Sequence, residues 1–291
     1  MTWKRVATAV VLIPIVVALV LFAATSIIAL VLALVTLLAL FEYFALGDAI
    51  GHRAYRFWTA TCALALIYLQ WLATREQVYM LGGGETLHPG AGNFFGFAPN
   101  IADAFFLFVA GIAALTLWTK RPLVEGLPAA GISSSGLLLV AFPVSFAVRL
   151  HGIEGVGPEL LLFALVIVWV GDTAAYFVGR SIGTHKLASH LSPQKTWEGA
   201  FASLLGSLLV GMVFYRWIGI PLGQVLGMAV VGNAFGQAGD LLESAYKRSA
   251  GVKDSGSLLP GHGGILDRID ALILAIPAVW YYWIWFGSPR M

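Results

Sequence analysis

Residues 6–46 read VATAVVLIPIVVALVLFAATSIIALVLALVTLLALFEYFAL. A helix needs roughly 20 predominantly apolar residues to cross the hydrocarbon core of a bilayer. This tract therefore holds two spans, parted only by a weak turn near Thr25 and Ser26. Backbone polar groups must be satisfied within the segment where no water reaches them, so both spans are expected to be helical. A cleaved signal peptide is the competing interpretation of the start, because Lys4 and Arg5 precede the apolar run. The run is too long for a signal core and leads straight into a second span, which favours a retained helix.

The same pattern recurs along the chain. Of its 291 residues 59% are hydrophobic and only 11% charged, and the mean hydropathy is +0.86. The expected fold class is all-α: a polytopic integral membrane protein of about nine transmembrane helices with a cytoplasm-facing polar cavity. The spans are expected near 6–24, 26–46, 57–74, 101–119, 130–149, 158–178, 198–218, 222–246 and 268–286. Residues 1–150 thus carry about five N-terminal spans. Residues 151–291 carry about four, with cytoplasmic loops at 180–197 and 247–268. No fixed-period repeat, low-complexity tail or soluble domain interrupts them, and no nucleic-acid partner is expected. The single cysteine, Cys62, falls inside an apolar span as a small packing residue. A glycine-rich stretch from Arg75 to Asn100 carries Phe94, Phe95 and Phe97 and reads as a variable external connector. Trp280 to Trp285 read as an interfacial aromatic anchor of the last span.

Basic residues orient the bundle. With nine spans, one face receives Lys4, Arg5, Arg53, Arg56, Lys120, Arg121, Arg180, Lys186, Lys195, Lys247, Arg248, Lys253 and Arg268, which is 13 of the 17 basic residues. Arg75, Arg149, Arg216 and Arg290 fall on the other face. Positive charge stays inside during insertion, so the 13-residue face is expected to be cytoplasmic. The N-terminus then lies in the cytoplasm and the C-terminus outside, in a cell (inner) membrane.

Polar chemistry gathers on that face. Beyond residue 160 the carboxylates at or near it are Asp172, Glu198, Asp240, Glu243, Asp254, Asp267 and Asp270. Asp240, Glu243 and Lys247 share one face of a helix by their three- and four-residue spacings. Asp267 and Asp270 repeat the three-residue spacing at the start of the next span. Such pairs on neighbouring helix ends suit a hard divalent cation bound through oxygen, and nearby Lys247, Arg248, Lys253 and Arg268 are donors for phosphate. In Pro260-Gly261-His262-Gly263-Gly264 the glycines allow positive φ, so that successive N–H groups can converge on an anion before a helix begins. No Walker A pattern occurs, which excludes a P-loop nucleotide site. Asp172, near the end of an apolar span, either pairs with a cation such as Arg180 or lines the polar cavity. The histidines at 52, 88, 151 and 190 show no metal spacing.

The run SAYKRSAGVKDSGSLLPGHGGILDRID from Ser244 to Asp270 resembles the signature of the CDP-diacylglycerol synthases, or phosphatidate cytidylyltransferases. It matches at Ser244, Lys247, Arg248, Lys253, Asp254, His262, Gly263, Gly264, Asp267, Arg268 and Asp270. Upstream, Asp172 to Tyr176 with Gly179-Arg180, then His185-Lys186-Leu187, Ser192-Pro193 and Lys195 to Gly199 are similar to the same family. Gln194 and Thr184 depart from it, standing where basic residues are frequent.

The resemblance implies an enzyme that joins CTP to phosphatidic acid at the membrane surface, giving CDP-diacylglycerol and pyrophosphate. It implies Mg²⁺, alone or with a second cation, held by Asp240 and Asp267 with Glu243 and Asp270 as secondary or orienting groups. Lys247, Lys253, Asp254 and Arg268 join Asp240 and Asp267 as implied catalytic residues. Implied substrate-binding residues are Asp172, Arg180, Lys186, Ser192, Lys195, Thr196, Trp197, Ser244, Arg248, His262, Gly263 and Gly264. His262 is expected as a phosphate donor or part of a turn ahead of a general base, because an ionised phosphate needs no deprotonation. The resemblance also implies a homodimer. Two rival functions are a CTP-dependent lipid-alcohol kinase and a secondary transporter, the latter expected to keep its charge near the bilayer midplane.

The 13-to-4 division of basic residues yields a topology test. Cysteines introduced as His190→Cys and Ser257→Cys are expected to react with an impermeant reagent from the cytoplasm, and His88→Cys from outside. Opposite-side labelling of positions 190 and 257 would separate the two loops and dissolve a shared site.

Overall fold

The structure, a computed structural model, describes residues 2–81, 100–256, 258 and 263–287, with side chains described from residue 10 to 75 and in the later stretches. Ten α-helices follow one another: α1 Thr2–Phe22, α2 Thr25–Ala49, α3 Arg56–Leu81, α4 Ile101–Trp118, α5 Gly126–Gly136, α6 Phe142–His151, α7 Gly157–Ile182, α8 Trp197–Ile218, α9 Leu222–Ser249 and α10 Leu266–Tyr282. A five-residue π-helical segment, Leu137–Ala141, joins α5 to α6, so that Leu123–His151 forms one span. Among the described residues eight helices are long and apolar enough to cross a membrane; α1 contributes the shorter apolar stretch Val10–Phe22. The protein is thus an all-α, multi-pass membrane protein. Outward-facing Phe22, Phe57, Phe106, Leu117 and Trp118 present apolar surface where a bilayer would lie.

The expected loop phenylalanines at 94, 95 and 97 and the turn residues Pro260, Gly261 and His262 lie outside the described residues. The break between the first two helices falls at Ala23 and Ala24, with Thr25 already opening α2. His151 of α6 explains its placement. Its Nδ1 lies 3.0 Å from Thr25 Oγ1 and its Nε2 3.0 Å from the Val20 carbonyl, so one buried imidazole serves both sides of the turn. The aromatic anchor divides in two. Trp280 and Trp283 are buried, Trp280 against Phe146 and under the Arg149 guanidinium at 4.7 Å, while Trp285 and Tyr281 face outward. Helical periodicity turns successive aromatics to different faces.

Packing runs through two apolar clusters. One gathers α6, α7, α8, α9 and α10 around Phe163, Ile167, Val225 and Met228; the other gathers α2, α3 and α4 around Leu40, Leu66 and Leu137. The last helix belongs to both, through Ala271, Ala275 and Val279 in the first and Leu266 and Ile273 in the second. The most extensive helix pairs are α7 with α8 and α9 with α10. Small residues permit such approach where lipid offers no hydrophobic drive between helices. At Gly239 a Cβ would come within 2.5 Å of the Asp270 carbonyl oxygen. This contact brings Asp240 beside Asp270.

Beneath Asp240 a polar ladder crosses the bundle. Asn233 Nδ2 donates to Ser203 Oγ and Ser207 Oγ, both at 2.8 Å, and Gln237 Nε2 donates to Asn233 Oδ1 at 2.6 Å. Ser207 in turn donates to the Ile167 carbonyl at 2.9 Å, which ties α9 and α8 to α7. Buried amides satisfied in this way fix the register of three helices.

Gly239→Ala is expected to wedge α9 from α10. Overpacking a close contact costs about 1–3 kcal/mol, so the variant should unfold at lower temperature in detergent. An unchanged melting temperature would mean that the contact yields without cost.

Candidate active site

Lys195, Asp240, Glu243, Lys247 and Asp267 come together where α7 and α9 end and α8 and α10 begin. After α7 the chain forms an antiparallel hairpin, β1 Lys186–Ala188 and β2 Ser192–Thr196, before entering α8. Two contacts dock the hairpin on the end of α9. Lys195 Nζ lies 2.6 Å from Asp240 Oδ2, and Arg248 Nε donates to the Leu191 carbonyl at 3.3 Å. The loops expected at 180–197 and 247–268 are therefore neighbours.

Lys247 forms the second centre. Its Nζ lies 2.5 Å from Glu243 Oε2 and 2.7 Å from Asp267 Oδ1. All three side chains are largely shielded from solvent, with relative exposures of 13%, 5% and 9% in that order. Glu243 Oε1 has no hydrogen-bonding partner among the described residues. Shielded charges are tolerated only when paired, and removing one partner of such a set commonly costs about 3–5 kcal/mol.

Asp240, Asp270 and Asp172 come from three different helices, yet they interact electrostatically. Asp172 senses the charges of Asp240 and Lys195, and Asp270 those of Asp240, Asp172 and Lys247. Arg180 instead donates from Nη1 to the Tyr176 hydroxyl at 2.7 Å. Ser244 Oγ reaches Asp240 Oδ1 at 3.5 Å, at the limit of a hydrogen bond.

The glycine turn holds anions of the chain's own. Gly263 has φ +79°, as the turn requires. Gly264 N donates to Asp267 Oδ2 at 2.8 Å, while Ile265 N and Leu266 N donate to Glu42 Oε1 and Oε2 at 3.0 and 2.8 Å. Of the run Pro260–Gly264, the Gly264 N–H thus meets Asp267, and the two N–H groups that follow it meet Glu42. Ser255 completes the arrangement, its backbone N–H reaching Asp267 and its Oγ reaching Glu42 Oε2 at 3.2 Å. Gly264 is a matter of space, since a Cβ there would stand 2.2 Å from Glu42 Oε2.

Other expected site residues have distinct placements. Thr196 is buried and caps α8, its hydroxyl accepting from Gly199 N at 3.2 Å. Lys186 is exposed on β1, Ser192 opens β2, and Trp197 is half exposed beside Phe201. Lys253 and Asp254 are exposed in the turn after α9. Arg268 follows Asp267 in the first turn of α10, its backbone N–H donating to the Ile265 carbonyl. His262 lies outside the described residues.

Glu42 and Ser255 were not anticipated from sequence. A lone carboxylate within the apolar tract 26–46 was the available signal, since an ionisable group inside a span marks a functional or structural site. Metal donors can be judged on the same residues. Asp172, Asp240, Asp267 and Asp270 are hard oxygen ligands of the kind Mg²⁺ takes. Among the described residues no three such side chains already stand at ligating spacing.

Glu42→Gln replaces one acceptor oxygen by an amide that cannot accept. A buried donor left without an acceptor costs about 1–3 kcal/mol. The variant is expected to melt earlier and to speed amide hydrogen exchange at Ile265 and Leu266. Wild-type protection of those two amides would show that Glu42 does not hold the turn.

The model of the cytidylyltransferase family matches residues 3–286. A protein named phosphatidate cytidylyltransferase from Brucella suis biovar 1 is 32% identical over 246 residues, covering 82% of this chain and 88% of that protein. Proteins of the same name from Staphylococcus epidermidis and Staphylococcus saprophyticus are 48% and 43% identical over 123 and 143 residues. Those two matches cover 42% and 48% of this chain and about half of the staphylococcal proteins, 47% and 55%.

Proposed function

The chain belongs to the cytidylyltransferase family, and from that premise we propose that it transfers the cytidylyl group of CTP to phosphatidic acid, forming CDP-diacylglycerol and releasing pyrophosphate. The observation that carries the proposal is the meeting of Asp172, Lys195, Asp240, Lys247, Asp267 and Asp270 at one end of a membrane bundle. Phosphatidic acid keeps its headgroup at the bilayer surface and CTP arrives from water. A polar cluster at span ends is open to both. By the positive-inside distribution that end is cytoplasmic, in the cell membrane.

An oxygen of the lipid phosphate attacks the α-phosphorus of CTP in line, and the bond to the leaving pyrophosphate breaks. No protein nucleophile is needed, because the attacking oxygen is already ionised. The difficulty is to hold two polyanions together and to stabilise charge on the leaving group. Lys195, on the hairpin, is poised between Asp240 and an incoming phosphate. Arg248 keeps the hairpin against α9 and so sets where Lys195 stands. Lys253 and Arg180 are further cations for the triphosphate and the lipid phosphate.

The donor set fits Mg²⁺. Asp240, through the oxygen that Lys195 does not hold, and Asp270 across the close α9–α10 contact would hold it, while Asp267 and Glu243 share the shielded Lys247 and would join only by releasing that cation. Mg²⁺, when bound, supplies charge neutralisation at the transferring and leaving phosphates.

Incubation with labelled CTP and a lipid panel tests the reaction. Pyrophosphate and a liponucleotide are expected; a nucleoside diphosphate with a phosphorylated lipid would make the protein a kinase instead. Two substitutions test the ligand assignment. Asp240→Asn should abolish turnover or raise its Mg²⁺ requirement at least tenfold, because an amide is a poor ligand for a hard cation. Asp267→Asn should chiefly lower the melting temperature through lost contacts to Lys247, Ser255 and Gly264. Wild-type Mg²⁺ dependence in Asp240→Asn would remove that residue from the metal site.

A further inference from the structure

We infer that the ends of α2, α3 and α4 form a second anion site, separate from the acidic cluster, that binds the phosphate headgroup of an anionic phospholipid in the surrounding leaflet. A cavity of about 770 Å³ lies there, lined by Asp48, Arg53, Tyr55, Arg56, Trp58 and Arg121. Three guanidinium groups face one carboxylate. Asp48 is paired with Arg56, which leaves Arg53 and Arg121 to set the charge of the pocket.

The pocket is built rather than incidental. Arg121 Nη1 donates to the Arg53 carbonyl at 2.6 Å, and its guanidinium stands 5.1 Å from the centre of the Tyr55 ring. Tyr55 is itself buried and fixed at both ends: its backbone N–H donates to Ser133 Oγ at 2.8 Å and its hydroxyl lies 3.2 Å from Thr116 Oγ1. A stacked, pre-oriented guanidinium loses little freedom on binding and matches paired phosphate oxygens. Among the described residues the hydrogen bond seen for the Arg121 guanidinium is the one to that carbonyl.

The rim identifies a lipid as the source of the phosphate. Phe57 is 86% exposed, and it and Leu115 line the cavity at the ends of α3 and α4, where acyl chains would pass. Cations at span ends beside exposed apolar side chains suit an anionic headgroup held at the interface. A soluble phosphate would gain nothing from that apolar edge. The pocket shares no lining residue with the acidic cluster. It is close to it, however: Asp48 follows Glu42 by six residues on α2, about 9 Å along the helix axis.

Native mass spectrometry of the full-length protein in detergent, with phosphatidylglycerol or phosphatidylcholine added, tests the assignment. Arg53→Gln keeps the backbone carbonyl that holds Arg121, and Arg121→Gln removes the stacked guanidinium. Both are expected to lose at least tenfold in apparent affinity for one bound phosphatidylglycerol, with binding of phosphatidylcholine unchanged. Millimolar inorganic phosphate should not displace that lipid. Wild-type phosphatidylglycerol binding in Arg53→Gln would overturn the proposal, and Arg53→Gln decides if Arg121→Gln fails to fold. Displacement by inorganic phosphate would assign the pocket to a free anion and overturn the lipid.

Discussion

A carboxylate from the second helix holds the start of the last one. The first residues of α10 leave N–H groups without intrahelical acceptors, and Ile265, at its N-cap, offers no side-chain acceptor. Glu42 supplies the missing acceptor from another helix, and its negative charge suits the positive end of the helix dipole. Asp267 adds a local acceptor for Gly264. The signature run between Ser244 and Asp270 is thus shaped by a residue of the N-terminal half. The N-terminal spans thus help to complete the polar centre.

Charge balance at this centre follows from the same architecture. Lys247 lies between Glu243 and Asp267, and Lys195 meets Asp240 from the hairpin. Each cation offsets carboxylates that would otherwise stand side by side uncompensated. The polar ladder of Asn233, Gln237, Ser203 and Ser207 carries hydrogen bonding down from this cluster into the bundle. α7, α8 and α9 therefore cannot slide past one another without breaking satisfied amide contacts in an apolar setting.

Most of the scaffold was legible in the sequence because lipid imposes a simple demand on helix length and polarity. The eight spans of the described residues overlap expected ones, and the two polar loops proved to be neighbours through Lys195 and Arg248. Glu42 escaped because hydropathy averages a single carboxylate away among apolar neighbours. The hairpin at 186–196 escaped because its strands are too short and polar for alternation to show. The glycine turn was correctly expected to need positive φ at Gly263, yet sequence spacing could not reveal that its donors were bound for Glu42 and Asp267. Contacts between residues more than 200 positions apart leave no local pattern to find.

That separation shapes how the protein is made. Ile265 lies 223 residues after Glu42, an interval of roughly 11–45 s at ribosomal speeds of about 5–20 residues per second. Throughout that interval the nascent second helix sits in the translocon or bilayer with a carboxylate whose donors do not yet exist. The N-terminal helices must therefore shelter Glu42 by hydration or a temporary partner while synthesis continues. Arrival of the last helix ends that wait and completes the polar centre in one event. A chain that stopped before Ser255 would carry none of the donors that meet Glu42 in the finished fold.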